Sequence, residues 1–529
     1  MEADVVVIGS GMAGAFAAWK LAQRGLRVLV LEAGPRIERS QVVRGFATTH
    51  NFDMSAGYPN PASAPRPDWG SGPDKFIDQL GPAVAQFEYL RVVGGTTWHW
   101  SSGAERLKPV DMRLRSTYGV GADWPITYDE IELHYLEVER EIGLAGEERG
   151  MEDPPRSAPF PLPPIPLGYM EIEIGKRLRE IGLHVLNSPA ARNSVPFDGR
   201  PQCDGYGTCT PICPIGAQYS AIVHVEKAEK AGAQVVANAR VDRLELDAGG
   251  NISLARFSRP DGSEDVASGK FFVLAANSVE STRLLLASAD ASRPSGLANS
   301  SDQVGRNFMM HPAFHIGFET PYPLYAGRGP TSRGSIGEFR DGPLRASESA
   351  FHLGIDNAPF LQPIAAALLR ESKMPPELDR ELRDAVVRQG AFLAYVEQLP
   401  DPENRVSIDW GTRDSAGQPR IKIHYSTGEY EQRGIARARA AIGRILQHLG
   451  GRATRRLDEI SVNHMMGTLR MGRDPKTSVC DVECRAHDHP NLFIASGGPF
   501  LSAGTVGPTL TIAALAVRLA EAIAKQMRG

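Results

Sequence analysis

Three cysteines stand close together in the middle of the chain, in the segment PQCDGYGTCTPICPIG. Cys203, Cys209 and Cys213 follow the spacing C-x5-C-x3-C, and Pro214 comes directly after the last. A loop rich in Gly and Pro can fold such thiolates inward around an iron-sulfur cluster. A zinc ion would need a fourth ligand at short spacing, and His224 would have to reach back from the following helix. Three thiols without any metal are the remaining interpretation, and the spacing favours the cluster.

A second chemical motif opens the chain. Gly9, Gly11 and Gly14 follow an apolar run, and the pattern G-x-G-x-x-G is typical of a turn whose backbone N–H groups approach a pyrophosphate. Glu32 ends the next apolar run, where we expect it to accept a hydrogen bond from a ribose hydroxyl. The position at the start of the chain and the residues Glu32 and Ala33 favour FAD over NAD as the dinucleotide.

The glycine motif requires a β-α-β unit to position it. Residues 4–8 and 27–31 are apolar and rich in β-branched side chains, and an alanine-rich helical pattern runs between them to Gln23. We predict an α/β fold with a Rossmann-like FAD-binding domain. Residues 41–75 show little periodicity, and we assign them no regular structure.

A second domain is expected from the later part of the chain. Residues 393–398, 405–410 and 420–425 alternate apolar and polar side chains, which predicts an antiparallel sheet with one solvated face. Residues 429–449 form an amphipathic helical pattern. We predict an FAD-binding domain from residues 1–45, 85–110, 200–312 and 456–529, and a substrate-binding domain and cap from residues 46–84, 111–199 and 313–455.

Size and charge exclude several classes of function. The chain has 529 residues, 42% of them hydrophobic, and a formal net charge of -4, so it can bury a large core and has no global basic field for nucleic acid. We expect no membrane span, because charged residues interrupt the most apolar helix, at residues 509–527. The first strand begins at about the third residue, so we expect no cleavable signal and any export through a partner.

The segment YLRVVGGTTWHWSS at residues 89–102 contains a glycine pair. Gly94 and Gly95 are expected to let the backbone pass close to something flat or charged. A plain glycine turn among buried tryptophans is the alternative.

Several motifs in order resemble the glucose-methanol-choline (GMC) oxidoreductases over nearly the whole chain. They are the N-terminal glycine motif, VGGTTWHW, DWPI followed by YD and an acidic helix, FVLAAN at 272–277, VGRN with His311-Pro312, and PNLFI at 490–494. Within that family, GGTTWHW and the cysteine segment resemble the catalytic subunit of bacterial FAD-dependent glucose, sorbitol, fructose and gluconate dehydrogenases. The resemblance implies the GMC fold, an α/β FAD domain with an α+β substrate domain that contains an antiparallel sheet.

The resemblance also implies the reacting centre. His464, in SVNHMMGTLRM, matches the family histidine beside flavin N5, where a neutral imidazole takes the hydroxyl proton while hydride leaves for N5. The alternative is a buried histidine with a structural role only. Asn463 is expected to orient the substrate or bond the flavin. The family's second catalytic position, usually His or Asn, is Gly507, so Asn463 or a water substitutes, the substrate is held differently, or the chain is weakly active.

The same resemblance supplies the remaining expected cofactor contacts. His99 matches a histidine that is covalently joined to the flavin in related pyranose oxidases, and a merely packing or hydrogen-bonding His99 is the alternative. Thr509 opens a helix whose N-terminus would face the flavin. The residues expected to contact FAD are Gly9, Gly11, Gly14, Glu32, Ala33, Gly94, Gly95, Thr97, His99, Trp100, Val241, Ala276, Gly507 and Thr509.

In the dehydrogenases that the chain resembles, the three matching cysteines hold a [3Fe-4S] cluster. The resemblance further implies a membrane-anchored multihaem cytochrome c subunit as electron acceptor, a small companion subunit bearing the export signal, and a place on the periplasmic side of the bacterial inner membrane. Without such a partner the chain would be cytoplasmic. Cys480 and Cys484 could supply a fourth cluster ligand or pair with each other, and free structural thiols are our default.

The function expected from these residues is oxidation of a sugar or polyol hydroxyl, with electrons leaving through the cluster. One alternative is an oxidase that delivers electrons to oxygen. The other is a non-catalytic flavin and iron-sulfur electron-transfer subunit, which Gly507 makes conceivable.

Overall fold

The computed structural model describes residues 1–49, 55–67, 76–148, 153–331, 334–358 and 361–528. Its strands are, in chain order, β1 (Val5–Ile8), β2 (Val28–Leu31), β3 (Ile77–Gln79), β4 (Ala85–Gln86), β5 (Leu186–Asn187), β6 (Gln234–Val236), β7 (Arg240–Leu246), β8 (Ile252–Ser258), β9 (Glu264–Ser268), β10 (Phe271–Leu274), β11 (Pro312–Glu319), β12 (Gly334–Ile336), β13 (Phe351–Asp356), β14 (Gln389–Val396), β15 (Arg405–Arg413), β16 (Pro419–His424), β17 (Arg452–Val462) and β18 (Leu492–Ile494). Its α-helices are α1 (Met12–Gln23), α2 (Arg39–Ala47), α3 (Leu114–Tyr118), α4 (Tyr128–Ile142), α5 (Tyr169–Leu178), α6 (Ile222–Lys230), α7 (Asn277–Ala287), α8 (Leu361–Arg370), α9 (Glu377–Val386), α10 (Glu429–His448) and α11 (Thr509–Gln526).

A five-stranded parallel sheet carries the glycine motif. Its strand order is β18-β10-β1-β2-β6, with β1 at the centre between β10 and β2. Every residue of β1 and β2 is buried, as expected for strands covered on both faces by helices. Helix α1 packs against α6 and α11. The β-α-β unit and the Rossmann-like sheet that the sequence predicts are therefore confirmed.

A seven-stranded sheet forms the second layer. Its order is β4-β17-β11-β14-β13-β12-β5, and β11, β14 and β13 pair antiparallel at its centre. Helix α10 covers one face, where Ile435 and Ile442 share a core with Phe314 and Phe392. The helix predicted at residues 429–449 is confirmed over Glu429–His448.

One prediction about the strands of this region is wrong. The pattern at residues 393–398 belongs to β14 in the seven-stranded sheet, whereas β15 pairs with β16, and β16 with β3, in a separate three-stranded sheet. Alternation along a strand shows which face is buried, but it does not show which strand is the neighbour. The second three-stranded sheet, β7-β8-β9, is an antiparallel meander.

The stretch predicted to have no regular structure contains a helix. Helix α2 covers Arg39–Ala47, and it buries only Val42. A helix with so narrow an apolar face has little periodicity to detect. Residues 50–54 and 68–75 of that stretch lie outside the described residues. No helix in the described ranges is long and apolar enough to cross a membrane.

Candidate active site

The three glycines of the first motif each meet a different requirement at the end of β1. Gly9 has a φ of +100°, and a Cβ there would lie 2.6 Å from the carbonyl oxygen of Ala275. A Cβ on Gly14 would lie 2.0 Å from the carbonyl oxygen of Gly9, so the helix packs directly on the turn. A Cβ on Gly11 would meet no protein atom within 4 Å, although Gly11 lines a cleft. The turn therefore leaves open the approach that a pyrophosphate needs.

Glu32 fixes the far side of this turn. Its carboxylate accepts hydrogen bonds from the backbone N–H of Ser10 at 2.9 Å, the hydroxyl of Ser10 at 2.6 Å and the N–H of Gly34 at 3.1 Å. Burial raises the pKa of Glu32, and these hydrogen bonds act in the opposite direction. A carboxylate offers about four acceptor positions, so Glu32 keeps capacity for a ribose hydroxyl in the cleft that it lines.

The cleft runs from this turn to the start of α11. The predicted site residues that line it are Gly9, Gly11, Glu32, Ala33, Gly95, Thr97, Val241, Ala276, Asn463 and Thr509. Those that lie outside its lining are Gly14, Gly94, His99, Trp100, His464 and Gly507. Open backbone at Gly11, a buried acceptor at Glu32 and a helix start at Thr509 along one cleft fit the phosphates, ribose and flavin of FAD.

The glycine pair at 94–95 ties a second segment to the turn. Gly94 and Gly95 have φ of 91° and 59°, and the N–H of Gly94 donates to the Ser10 hydroxyl at 3.1 Å. A Cβ on Gly94 would lie 2.9 Å from Nε1 of Trp98. Thr97 donates its hydroxyl to the carbonyl of Gly94 at 2.8 Å. The segment is therefore held against the cofactor cleft through backbone that other residues would strain.

His99 and Trp100 are not among the residues that line the cleft, and both make contacts near the cysteine segment. The His99 ring lies 5.7 Å from that of Tyr58, whose hydroxyl donates to the carbonyl of Pro211 at 2.7 Å. Trp100 donates its indole N–H to the carbonyl of Tyr219 at 2.8 Å. Covalent attachment of flavin at His99 stays a prediction.

One glutamine bridges the two segments. The side-chain amide of Gln218 donates to the carbonyl of Trp100 at 2.6 Å and to the carbonyl of Cys209 at 3.2 Å. Gln218 therefore links the segment that contains Thr97, which lines the cleft, to the loop that contains Cys209.

Two histidines form the centre of the site. The Nδ1 atoms of His311 and His464 lie 2.8 Å apart, and Nε2 of His311 lies 3.0 Å from the carbonyl oxygen of Gly504. Because a carbonyl oxygen only accepts, Nε2 of a neutral His311 carries the proton and its Nδ1 is bare. His464 must then donate from Nδ1. Its own Nε2 is left without a proton and is able to act as a base.

The bare nitrogen of His464 faces Gly507. A Cβ on Gly507 would lie 3.5 Å from Nε2 of His464 and 3.9 Å from the carbonyl oxygen of Gly103. The ring of Tyr395 lies 5.5 Å from that of His464. Burial, together with His311, holds the pKa of His464 well below its usual value, and burial lowers the pKa of His311 to about 4. Both imidazoles are therefore neutral near pH 7.

Asn463 uses its side chain on a neighbour. Its amide nitrogen donates to the carboxylate of Glu88 at 3.0 Å, and its amide oxygen accepts from the N–H of Glu88 at 2.7 Å. Its φ of 51° is a left-handed conformation that asparagine tolerates better than most residues. Asn463 borders the cleft with its polar groups already paired, and a catalytic role for it stays a prediction.

The five cysteines form no disulfide. Burial raises the pKa of the Cys203 thiol, and Cys209 and Cys213 add to that shift, so the three thiols share one neighbourhood. Within the described ranges, no three His, Cys, Asp or Glu side chains could hold a metal ion together. Thiolates around an iron-sulfur cluster stand farther apart than ligands of one ion, because iron and sulfide lie between them. The three free thiols are the donor set that such a cluster takes.

The other two cysteines are buried beside each other. Cys480 donates to the carbonyl of Leu469 at 3.4 Å, and burial raises its pKa well above the usual value, with a contribution from Cys484. These two buried thiols form no disulfide, and a purely structural role for them stays a prediction.

His311 is the site residue to which the sequence reasoning gave no role. It stands 153 positions from His464 in the chain, and strand β11 begins one residue after it. The motif His311-Pro312 was part of the family pattern and was the only signal that singled it out. No local spacing links it to His464, because the contact is made by the fold.

Comparisons with known proteins identify the family of the chain. The family described as GMC oxidoreductase matches residues 400–516, and the family described as FAD dependent oxidoreductase matches residues 4–55. The chain is 38% identical to the fructose dehydrogenase large subunit of Gluconobacter japonicus, over 100% of this chain and 99% of that protein. It is 27% identical to a 2-methyl-1,2-propanediol dehydrogenase of Mycolicibacterium austroafricanum, over 99% and 96% of the two chains.

Among solved structures, pyridoxine 4-oxidase from Mesorbium loti superimposes with a TM-score of 0.64 at 18% identity, over 98% of both chains. At that identity the match concerns the fold alone. The α/β architecture with its parallel sheet and its larger antiparallel sheet is shared.

Proposed function

This chain belongs to the GMC oxidoreductase family, and from that premise we propose that it is a dehydrogenase that oxidises a hydroxyl group of a sugar or polyol. Members of the family use FAD and act on hydroxyl groups of alcohols or sugars. The similarity along the whole chain to a fructose dehydrogenase large subunit supports a sugar or polyol as the substrate. Which hydroxyl is oxidised depends on the residues that surround His464.

The residues that would hold FAD lie along the cleft. The turn at Gly9 and Gly11 would present backbone N–H groups to the pyrophosphate, and Glu32 would accept a hydrogen bond from the ribose. Pro508 and Thr509 line the cleft where α11 begins, so the positive end of this helix would face the flavin. Bound FAD supplies the acceptor for the hydride that leaves the carbon bearing the hydroxyl.

The observation that carries this proposal is the hydrogen bond between His311 and His464. It leaves Nε2 of His464 as a bare acceptor beside the open position at Gly507. The substrate O–H bond breaks, its proton passes to Nε2, and the freed electron pair forms the carbonyl bond as the hydride departs. The imidazolium so formed donates from Nδ1 to His311, whose own position Gly504 fixes.

The cysteine loop supports a further part of the proposal. Cys203, Cys209 and Cys213 would hold a [3Fe-4S] cluster, which when bound would carry electrons one at a time to an outside acceptor. The hydrogen bonds from Gln218 to Trp100 and Cys209 place that loop next to the segment that borders the cofactor cleft.

Partners and location follow from similarity. The relative of Gluconobacter japonicus is named as a large subunit, which supports an assembly of several subunits. We propose a membrane-anchored multihaem cytochrome c subunit as acceptor, a small subunit that carries the export signal, and a place on the periplasmic side of the inner membrane. Co-purification of the chain with its partners from membranes of the native organism, followed by haem staining, tests this.

Anaerobic titration of the purified holoprotein tests the central proposal. Sugars and polyols should bleach the flavin without dithionite, and His464→Ala should retain FAD while the bleaching rate falls by about a hundredfold or more. A flavin that stays yellow with every sugar and polyol, yet bleaches with dithionite, contradicts the proposal. Unchanged bleaching in His464→Ala contradicts the role of the base and favours a non-catalytic electron carrier.

Two measurements test the route of the electrons. Peroxide equal to the substrate consumed would identify an oxidase in place of a dehydrogenase. Iron and labile sulfide should be present in the holoprotein and absent from Cys203→Ser. Cys484→Ser is the matched control and should retain both, because Cys484 lies outside the cysteine loop.

A further inference from the structure

The position beside Nε2 of His464 lacks the hydrogen-bonding side chain that the family usually provides. Gly507 has no side chain, and the amide of Asn463 is paired with Glu88. A substrate with several hydroxyl groups still needs polar partners inside a buried site, because unpaired polar groups there are costly. The protein must supply them from another element.

A buried arginine, Arg340, contacts the loop that contains Gly507. Arg340 is 2% exposed. Its Nε donates to the hydroxyl of Thr505 at 3.1 Å, and its Nη1 lies 3.8 Å from a carboxylate oxygen of Glu105. Its Nη2 has no hydrogen-bond partner among the described residues. An arginine held in place through one nitrogen while another is unsatisfied is typical of a group that waits for a ligand.

Two chains of contacts connect this arginine to the surroundings of His464. Thr505 lies between Gly504, which holds His311, and Gly507, which faces Nε2 of His464. On the other side, Nδ1 of His352 lies 3.3 Å from the carboxylate of Glu105.

The pairing of two strands connects His352 to His464. His352 on β13 pairs with Tyr395 on β14, and the ring of Tyr395 lies 5.5 Å from that of His464. The cluster of Arg340, Glu105 and His352 is therefore linked on one side to the loop that contains Gly507 and on the other side to Tyr395, both of which adjoin His464.

We propose that Arg340 and Glu105 bind a hydroxyl group next to the one that is oxidised, and so select neutral substrates with neighbouring hydroxyls. This inference rests on the proposed function and specifies its substrate class. A hydroxyl both donates and accepts, so it can accept from the free N–H of Arg340 and donate to Glu105. A carboxylate substrate fits less well, because Glu105 already offsets the charge of the guanidinium.

The test uses the holoprotein and anaerobic flavin bleaching at limiting substrate. The best polyol or sugar is compared with its singly deoxygenated analogues, in the wild type and in Arg340→Met. In the wild type, one analogue should react roughly ten- to hundredfold more slowly than the parent. In Arg340→Met the parent should slow by a similar factor, and that analogue should slow little further.

If the loss caused by removing a hydroxyl and the loss caused by Arg340→Met multiply for every analogue, the assignment of Arg340 is overturned, even when the wild type oxidises sugars. Failure of every sugar and polyol to bleach wild-type flavin instead overturns the proposed function, and this inference with it. A wild type that prefers an aldonate to the matching neutral polyol overturns the choice of a neutral substrate.

Thr505→Val provides a second test of the proposal in case Arg340→Met does not fold. It removes the hydroxyl that orients Arg340 and leaves the guanidinium and the packing volume in place. It should raise KM for the parent polyol more than it lowers kcat, with FAD content unchanged. Equal FAD content and an unchanged KM in Thr505→Val would contradict the proposal.

Discussion

The Nδ1 atom of His464 lies 2.8 Å from the Nδ1 atom of His311, so one imidazole sets the tautomer of the other. The chain of donors ends at the carbonyl of Gly504, which only accepts. The proposed base at Nε2 of His464 therefore depends on His311, which is not among the residues that line the cofactor cleft.

Removing His311 should slow the reaction without releasing FAD. His311→Phe eliminates both the acceptor for His464 and the donor to Gly504, and we expect the rate of flavin bleaching to fall by about ten- to a hundredfold. His311→Gln keeps one acceptor and one donor and should recover part of the rate. Identical losses in both variants would show that the volume of His311 matters and its hydrogen bonds do not.

The rate of flavin bleaching should not show the fall near pH 6.5 that protonation of an ordinary histidine would cause. The pKa of His464 lies well below 6.5 in the folded protein, so the base stays neutral as the pH falls through that value. The bleaching rate at limiting substrate should be flat across neutral pH and fall only in more acidic solution. Stopped-flow measurement over this range provides the check, and a half-maximal rate near pH 6.5 would contradict the protonation scheme.

Gly11→Ala should separate folding from cofactor binding. The added methyl group meets no protein atom within 4 Å, so the apoprotein should fold normally, while the methyl group occupies the approach of the pyrophosphate. We expect FAD affinity to fall by about tenfold or more, measured by fluorescence titration of the apoprotein. Gly443→Ala is the control, because Gly443 in α10 is equally open and lies outside the cleft lining. Equal FAD affinity in the two variants would contradict the assignment of the turn.

A buried ion cluster below the loop at residues 502–507 should dominate local stability. Arg345 donates to Glu397 at 2.9 Å and to Asp111 at 2.5 Å, and the hydroxyl of Ser502 donates to the carbonyl of Asp111 at 2.7 Å. Arg345→Met leaves two buried carboxylates without their cation, and we expect the free energy of unfolding to fall by about 3–5 kcal/mol.

The matched control for this cluster is an exposed pair in α9. Arg383→Met breaks the contact with Asp379 at 2.9 Å and should change the free energy of unfolding by less than about 0.5 kcal/mol. Both variants are compared by denaturant unfolding of the FAD-loaded protein. Similar small effects would mean that the buried charges of Arg345, Asp111 and Glu397 stabilise little.

The parts of the fold that the sequence predicted well depend on local patterns. The run at 4–8, the glycines after it and the acidic residue at 32 lie within one β-α-β unit, so spacing alone determines their arrangement. The helix at 429–448 has a periodic apolar face that is independent of its neighbours. The family resemblance added the match of His464, which no local pattern could distinguish from a core histidine.

The parts that were missed depend on contacts between distant segments. Strand β14 reads like β15 and β16 but pairs with β11 and β13, because partner choice follows from packing of the whole sheet. His311, Arg340 and Glu105 occur in stretches without an active-site motif of their own. Their chemistry becomes visible only where β11, β13 and the loop at 502–507 meet.

Gln218 makes the cysteine loop and the segment ending at Trp100 one mechanical unit. Because the same amide is bonded to both carbonyls, neither segment can shift by more than a hydrogen-bond length without pulling the other or giving up a bond. Opening the loop to admit the proposed iron-sulfur cluster would thus pull on the segment that borders the cofactor cleft, so we expect the binding of the cluster and the binding of FAD to affect each other.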